Sequence, residues 1–458
     1  MNKKWKMTLP TLALLTAVAC GGEEATETEN GEVDENGEET NEETNEGTSD
    51  DVETGEADTE VQATGDEDVV LDFWIHQTGE DETNFYIERI DAFNDAHEDI
   101  HVDTEIIIDD GASAYSDSIN AALVAGELPD VMAIDGPYTA SFADADVIQS
   151  IDEYISDEDR EDFVDSIIQQ GTYDGSLYTL GAMEGSVSLF YNKDIFEEEG
   201  IDVPTSVDEA WDWDEFKDVA EQLTTDERYG LNKFWNYGIG EYMTFSGAPF
   251  VWSNGGALIA EDGSTADGYL NGPEAVEAFE YIQSLFDAGV VSNSPGEMQF
   301  EEGNAAMALG GPWIAISAED ADLNWGMMPY PVKDEPVSPS GSMAYGMTTN
   351  SEHPEEAYEL MAWMTNAEST EGLAEVTGMP PARESAFENM ERFEELPWSV
   401  MKEQVTETAR ARPATPAYPV LTDAFAEIYN AASLDQDLQQ VADQQVERVE
   451  RELQRFAD

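Results

Sequence analysis

One cysteine, Cys20, occurs in 458 residues, so no disulfide within the chain supports the fold. Basic residues are scarce too. Lys plus Arg number 18 against 103 Asp plus Glu, a formal charge of −85 at pH 7. A chain this negative repels nucleic acid and anionic lipid, and it disfavours an anionic substrate unless a local basic pocket overrides the field. No Lys or Arg separates Lys233 from Lys333. Gly-x-Ser-x-Gly nucleophile elbows, the Gly-Lys pair of a phosphate loop and DxDxDG calcium loops are all missing, as is any internal repeat. Hydrophobic residues at 41% and aromatics at 10% are nevertheless ordinary for a globular protein. A length of 458 residues is ample for a large core and suggests two or three domains.

Three of the 18 basic residues are grouped at the start. Lys3, Lys4 and Lys6 precede an apolar run, Met7–Ala19, too short for a permanent transmembrane helix. The run ends in Ala17-Val18-Ala19-Cys20-Gly21, which resembles a bacterial lipoprotein signal with Cys20 as the lipidated residue. Ala17 departs from that motif's preference for a large aliphatic, and ordinary signal cleavage is the alternative. Residues 21–68 hold 21 acids in 48 positions with no Lys, Arg or aromatic residue. Such a segment buries too little to offset chain entropy, so it is expected to be a disordered, self-repelling tether. The folded body is expected from Val69 and carries −67. Its intact apolar periodicity beside so few cations fits life in high salt, where self-repulsion is screened.

An apolar strand from Val69 to Ile75, a helix from Thr83 or Asn84 to Ala96, and alternation at Ile100, Val102, Thr104, Ile106 and Ile108 open the body. A helix over 116–125 and a strand over 131–134 follow. This order implies right-handed crossovers and a parallel α/β sheet covered on both faces, with ligand-binding loops after the strands. Further helices are expected at 208–223, 273–288, 354–366 and 433–456. The sequence His97-Glu98-Asp99-Ile100-His101 matches a zinc-protease pattern that needs both imidazoles on one helix face. Here the pattern straddles a helix-to-strand turn, so no metal is expected. Acids are too abundant for a glycosidase pair to stand out.

Several stretches, in order over nearly all of 69–458, resemble extracellular solute-binding protein family 1, the class that includes maltose-binding protein. They are Phe73-Trp74-Ile75, the run from Ala121 to Val131, Tyr191-Asn192-Lys193-Asp194, Phe300 to Met307 leading into Gly311-Pro312-Trp313, Gly378 to Arg383, and Arg412 to Tyr418. The resemblance implies an α/β, two-lobe periplasmic-binding-protein fold of the class II type, with an interlobe ligand cleft and hinge crossings near 182–186, 340–344 and 393–401. One lobe is expected to comprise 69–184 plus 343–397, the other 185–342 plus 398–458. It further implies a monomeric, extracellular, lipid-anchored binding component, without cofactor, that delivers a neutral sugar to ABC permease subunits. A secreted polysaccharide hydrolase or lyase, a structural surface lipoprotein, and the same fold binding a polyol are the alternatives.

A sugar offers apolar ring faces to aromatics and a belt of hydroxyls to polar groups. Trp313 matches a stacking tryptophan of the family. His76, Gln77 and Thr78 leave the first strand, and Asp135 and Tyr138 leave the third, where such sheets bind ligands. Glu184 lies at the first crossing, near the family's sugar-binding acid. Among Tyr242, Phe245 and Trp252, one is expected to line the cleft, while Trp252 alternatively packs under its helix. Tyr418 corresponds to an aromatic contact of the second lobe. Arg412 serves a hydroxyl pair or offsets the acidic field.

Overall fold

A computed structural model describes residues 69–77, 79–108, 114–232, 239–292, 300–341 and 343–456. The leader, Cys20, the acidic segment 21–68 and Thr78 lie outside the described residues, as does the side chain of Gln77. The strands in chain order are β1 (Val69–Gln77), β2 (Ile100–Ile108), β3 (Val131–Asp135), β4 (Thr172–Tyr173), β5 (Ser176–Leu177), β6 (Thr179–Gly181) and β7 (Ser188–Asn192). They continue with β8 (Tyr229–Asn232), β9 (Ala305–Gly310), β10 (Trp325–Met328), β11 (Ser338–Ser340), β12 (Met343–Met347) and β13 (Ala409–Ala411).

Two sheets organise two lobes. The first has the order β2-β1-β3-β12-β6, with β1, β2 and β3 parallel and β12 antiparallel to β3 and β6. Leu71, Phe73 and Ile75 are buried in its core, while Val70 and Asp72 on the other face are exposed, so this part of β1 is covered on one face only. The second sheet has the order β10-β7-β9-β8. Its core gathers Leu189, Phe216, Phe250, Phe279, Tyr418 and Phe425, each removed from water, and a buried side chain of this size contributes about 1.5–3 kcal/mol.

The early helices form near their expected places, over Glu80–Ala96 and Ala114–Ala125. Asp212 caps the helix Trp213–Leu223 by accepting from the Glu215 amide at 2.8 Å, so that helix starts later than the expected 208. The helix expected over 433–456 is two. One ends at Ser433, Asp435 adopts a left-handed φ of 52°, and Asp437 accepts from the Gln440 amide at 3.0 Å to start Leu438–Phe456. Leu438, Ala442, Val446, Val449 and Leu453 then form the buried stripe, while Leu434 falls in the turn, 58% exposed.

Three chain passages join the lobes. The first runs between β6 and β7, the second between β11 and β12, and the third leads from Phe393 in the first core to Tyr418 in the second. Parallel pairing of β11 with β13 ties the second passage to the third. Buried Gln404 ties the third to the first, donating to the Val187 carbonyl at 2.8 Å and to Ser188 Oγ at 2.9 Å. At the first two passages backbone meets backbone. The Gly341 amide donates to the Gly185 carbonyl at 3.1 Å, and a Cβ at Gly185 would stand 1.9 Å from the Gly341 oxygen.

Candidate functional site between the lobes

The carboxyl ends of β1 and β3 reach the seam between the lobes. Carrying forward the register in which Phe73 pairs with Val131 sets Gln77 level with Asp135. Asp135 ends β3, and Tyr138 follows in a short 3-10 turn. Tyr138 packs against both cores, edge-on to Tyr418 of the second lobe with ring centroids 5.4 Å apart at 85°. His76 is buried beside Tyr115, ring centroids 5.6 Å apart.

On the facing lobe, Trp313 opens a helix directly after β9 and touches all three apolar clusters of the body. Its ring folds back over Gly311, where a Cβ would meet it at 2.1 Å. Only glycine admits that approach. Tyr242 and Phe245, one turn apart on the helix Glu241–Ser253, lie 6.0 and 6.5 Å from the Trp313 ring. Trp252, on the same helix, is 1% exposed within the second core, with the Arg410 guanidinium 5.0 Å above its ring. It therefore takes the alternative place under its helix.

Between the two walls sits an ionic cluster. Arg412 is 5% exposed. Its Nη1 donates to Glu241 Oε1, its Nη2 donates to Asp135 Oδ1 at 3.2 Å, and its Cζ stands 5.0 Å from the Phe245 ring. Glu241 also accepts from the Tyr418 hydroxyl at 2.5 Å and from Thr422 Oγ1. Burial alone would lower the Arg412 pKa, but Asp135, Tyr418 and Glu241 carry it well above its ordinary value. Burial pushes the Glu241 carboxyl and the Tyr418 and Tyr138 hydroxyls upward.

Glu184 lies elsewhere. It is fully buried in the hinge, accepting from Ser166 Oγ at 2.6 Å, the Gly185 amide at 3.0 Å and the Gly341 amide at 2.9 Å. Burial raises its pKa, against the opposing pull of these donors. Protein donors, the Ser340 hydroxyl among them, engage this carboxylate, so its geometry is that of a hinge tie rather than a cleft ligand. Fully buried Tyr418 likewise presents its hydroxyl to Glu241.

Sequence reasoning misses Glu241. The signal it leaves is indirect: a buried arginine in so acidic a chain requires buried partners. The zinc-like histidines separate as the turn requires. His97 stacks on Phe93 and meets Glu359 at 3.2 Å, whereas His101, on β2, meets Asp103 at 3.6 Å.

Residues 88–398 match the family model described as bacterial extracellular solute-binding protein. A maltodextrin-binding protein of Bacillus subtilis is 29% identical over 304 residues, 61% of this chain and 67% of that protein. A galactooligosaccharide-binding protein of the same organism is 24% identical over 70% of this chain and 76% of its own length. Several putative binding proteins of Brucella are matched over 59% of their length at 26% identity. Among solved structures, a solute-binding protein of Thermotoga lettingae bound with tagatose superposes at a TM-score of 0.72 with 23% identity, covering 84% of this chain and all of that one. The maltose/maltodextrin-binding domain of Bdellovibrio bacteriovorus bound to maltotriose gives 0.70 at 21% identity, covering 85% and 100%. These likenesses fix the two-lobe fold, and the match over 88–398 fixes the family: the chain belongs to the bacterial extracellular solute-binding proteins.

Proposed function

We propose that this chain is the extracellular binding component of a carbohydrate ABC transporter, capturing a neutral sugar or oligosaccharide between lobes 69–184 plus 343–397 and 185–342 plus 398–458. The observation that carries the reading is the half-buried Trp313 ring, backed by Tyr242 and Phe245, where the cores of the body meet. Such a platform suits an apolar sugar face, and Asp135 and Tyr138 supply polar groups for the hydroxyl belt. The names of the relatives point the same way, being those of proteins that bind maltodextrin, galactooligosaccharide and maltotriose. Cys20 would carry the lipid that holds the protein at the outer face of the membrane, and a permease would receive the sugar.

Calorimetry with mono-, di- and oligosaccharides and polyols in high salt is expected to give one-to-one binding for at least one sugar. Ligand at 100 times its Kd then adds about 2.7 kcal/mol to stability. A panel that yields neither heat nor stabilisation overturns the reading, and turnover of an oligosaccharide would favour an enzyme instead. For the ligand so found, Trp313→Ala is expected to weaken binding by about 1–3 kcal/mol. Unliganded stability should fall by less than the roughly 3–5 kcal/mol of a core Trp→Ala change. Large destabilisation with unchanged affinity would make Trp313 a packing residue only.

A further inference from the structure

We infer that Asp135 and Arg412 form an interlobe latch that sets the balance between open and closed forms, and that Asp135 is thereby a positioning residue for capture. The inference rests on the proposed cleft, because a latch matters where two lobes close on a ligand. The ionic cluster divides unevenly across the seam. Glu241, Tyr418 and Thr422 belong to the second lobe and hold one another and Arg412 by hydrogen bonds that opening need not break. Asp135 alone comes from the first lobe, fixed at the end of β3 opposite Met343 of β12.

Arg412 is therefore organised in advance: Glu241 grips one end of the guanidinium, and Phe245 lies under its carbon. The Asp135 side chain is 32% exposed, against 3% for that of Arg412. The carboxylate thus rehydrates readily when the lobes part, while the cation stays with Glu241. Two acidic lobes repel as they approach, and a cation placed in the seam offsets that repulsion where the gap is smallest. Burial of Arg412 shields its side of the pair from the salt that screens surface charges. Tyr138 against Tyr418 is the apolar half of the same contact.

The test needs no sugar. In the full chain with Cys20→Ser, probes on Val124→Cys of the first lobe and Tyr269→Cys of the second, both exposed, report the interlobe distance by single-molecule energy transfer. Asp135→Asn is expected to raise the open-to-closed ratio about tenfold, the scale of a lost interfacial charge pair. Asp135→Glu should retain most of the closed population. Arg412→Lys, which lacks the fork that reaches both Glu241 and Asp135, should open the protein in the same way. Wild-type distances in either Asp135→Asn or Arg412→Lys overturn the latch. Opening without sugar binding in the calorimetric panel would leave the latch standing and remove the sugar reading. Sugar binding with unchanged distances would do the reverse.

Discussion

Glu184→Ala is expected to lower the stability of the folded body by about 1–3 kcal/mol, since it strands the buried Gly185 amide, which costs about that much when unpaired, and leaves the Gly341 amide only its longer bond to the Gly185 carbonyl. The Gly185 and Gly341 amides point at one carboxylate oxygen, and they belong to two different passages between the lobes. Glu184→Gln separates hydrogen bonding from charge. Its amide oxygen can accept from both glycines, while its nitrogen donates to Ser166 Oγ, whose hydroxyl rotates to receive it. Near-wild-type stability for Gln beside a large loss for Ala is the expected pattern in urea denaturation. Equal melting of Ala and wild type would show that the hinge does not depend on this tie. pH adds a second reading. Burial raises the Glu184 pKa in the folded protein above its unfolded value, so the folded state binds the proton more tightly. Wild type should therefore gain on Glu184→Gln as pH falls through the folded pKa, with the gain complete below the unfolded pKa and lost again on return to neutral pH.

The first sheet was legible because its signals are local. β1 presents Leu71, Phe73 and Ile75 on one face, and the helix after it carries Tyr86, Ile90 and Phe93 at helical spacing, all buried. The single helix expected over 433–456 failed because apolar spacing runs across the turn at Leu434, where the break comes from an aspartate in a left-handed conformation and a second aspartate acting as cap. Neither residue stands out among 103 acids. The same abundance hid Glu241 and made Glu184 readable only as one acid near a crossing. What distinguishes Glu184 is the approach of Gly341, 157 residues further along, and no local pattern encodes that. Trp313 stands out in the sequence because Gly-Gly-Pro-Trp is itself the geometry: a glycine is needed where the ring folds back.

Stability is expected to rise steeply between 0.01 M and 1 M NaCl. The body carries −67, and among the described residues like charges stand side by side. Asp72 pairs across the ladder with Asp103 and lies beside Asp130. Burial, then the charges of Asp130 and Asp103, raise the Asp72 pKa. At 0.01 M the Debye length is about 30 Å, and carboxylates repel across a whole lobe. Near 1 M it is about 3 Å, so repulsion shrinks to immediate neighbours and the compact state loses most of its penalty. The unfolded chain, with its charges spread out, gains less from screening. Mild acidification should partly replace salt, because a carboxyl whose folded pKa is raised stabilises the native state on protonation. That stabilisation grows as pH falls through the raised folded values and is complete below the unfolded ones. Pairs such as Arg383 with Asp159 and Asp162, at 2.8 and 3.0 Å, set the opposite limit. Hydrogen bonds from Ser385 and Arg383 outweigh burial and hold Asp162 below its usual range, so its contribution is lost as pH falls through that depressed value. Stability at low salt should therefore pass through a maximum on the acid side of neutrality. A Tm that is flat in salt from 0.01 M to 1 M would show that the acids are spaced so as not to interact, and with it would fall the high-salt reading of the composition.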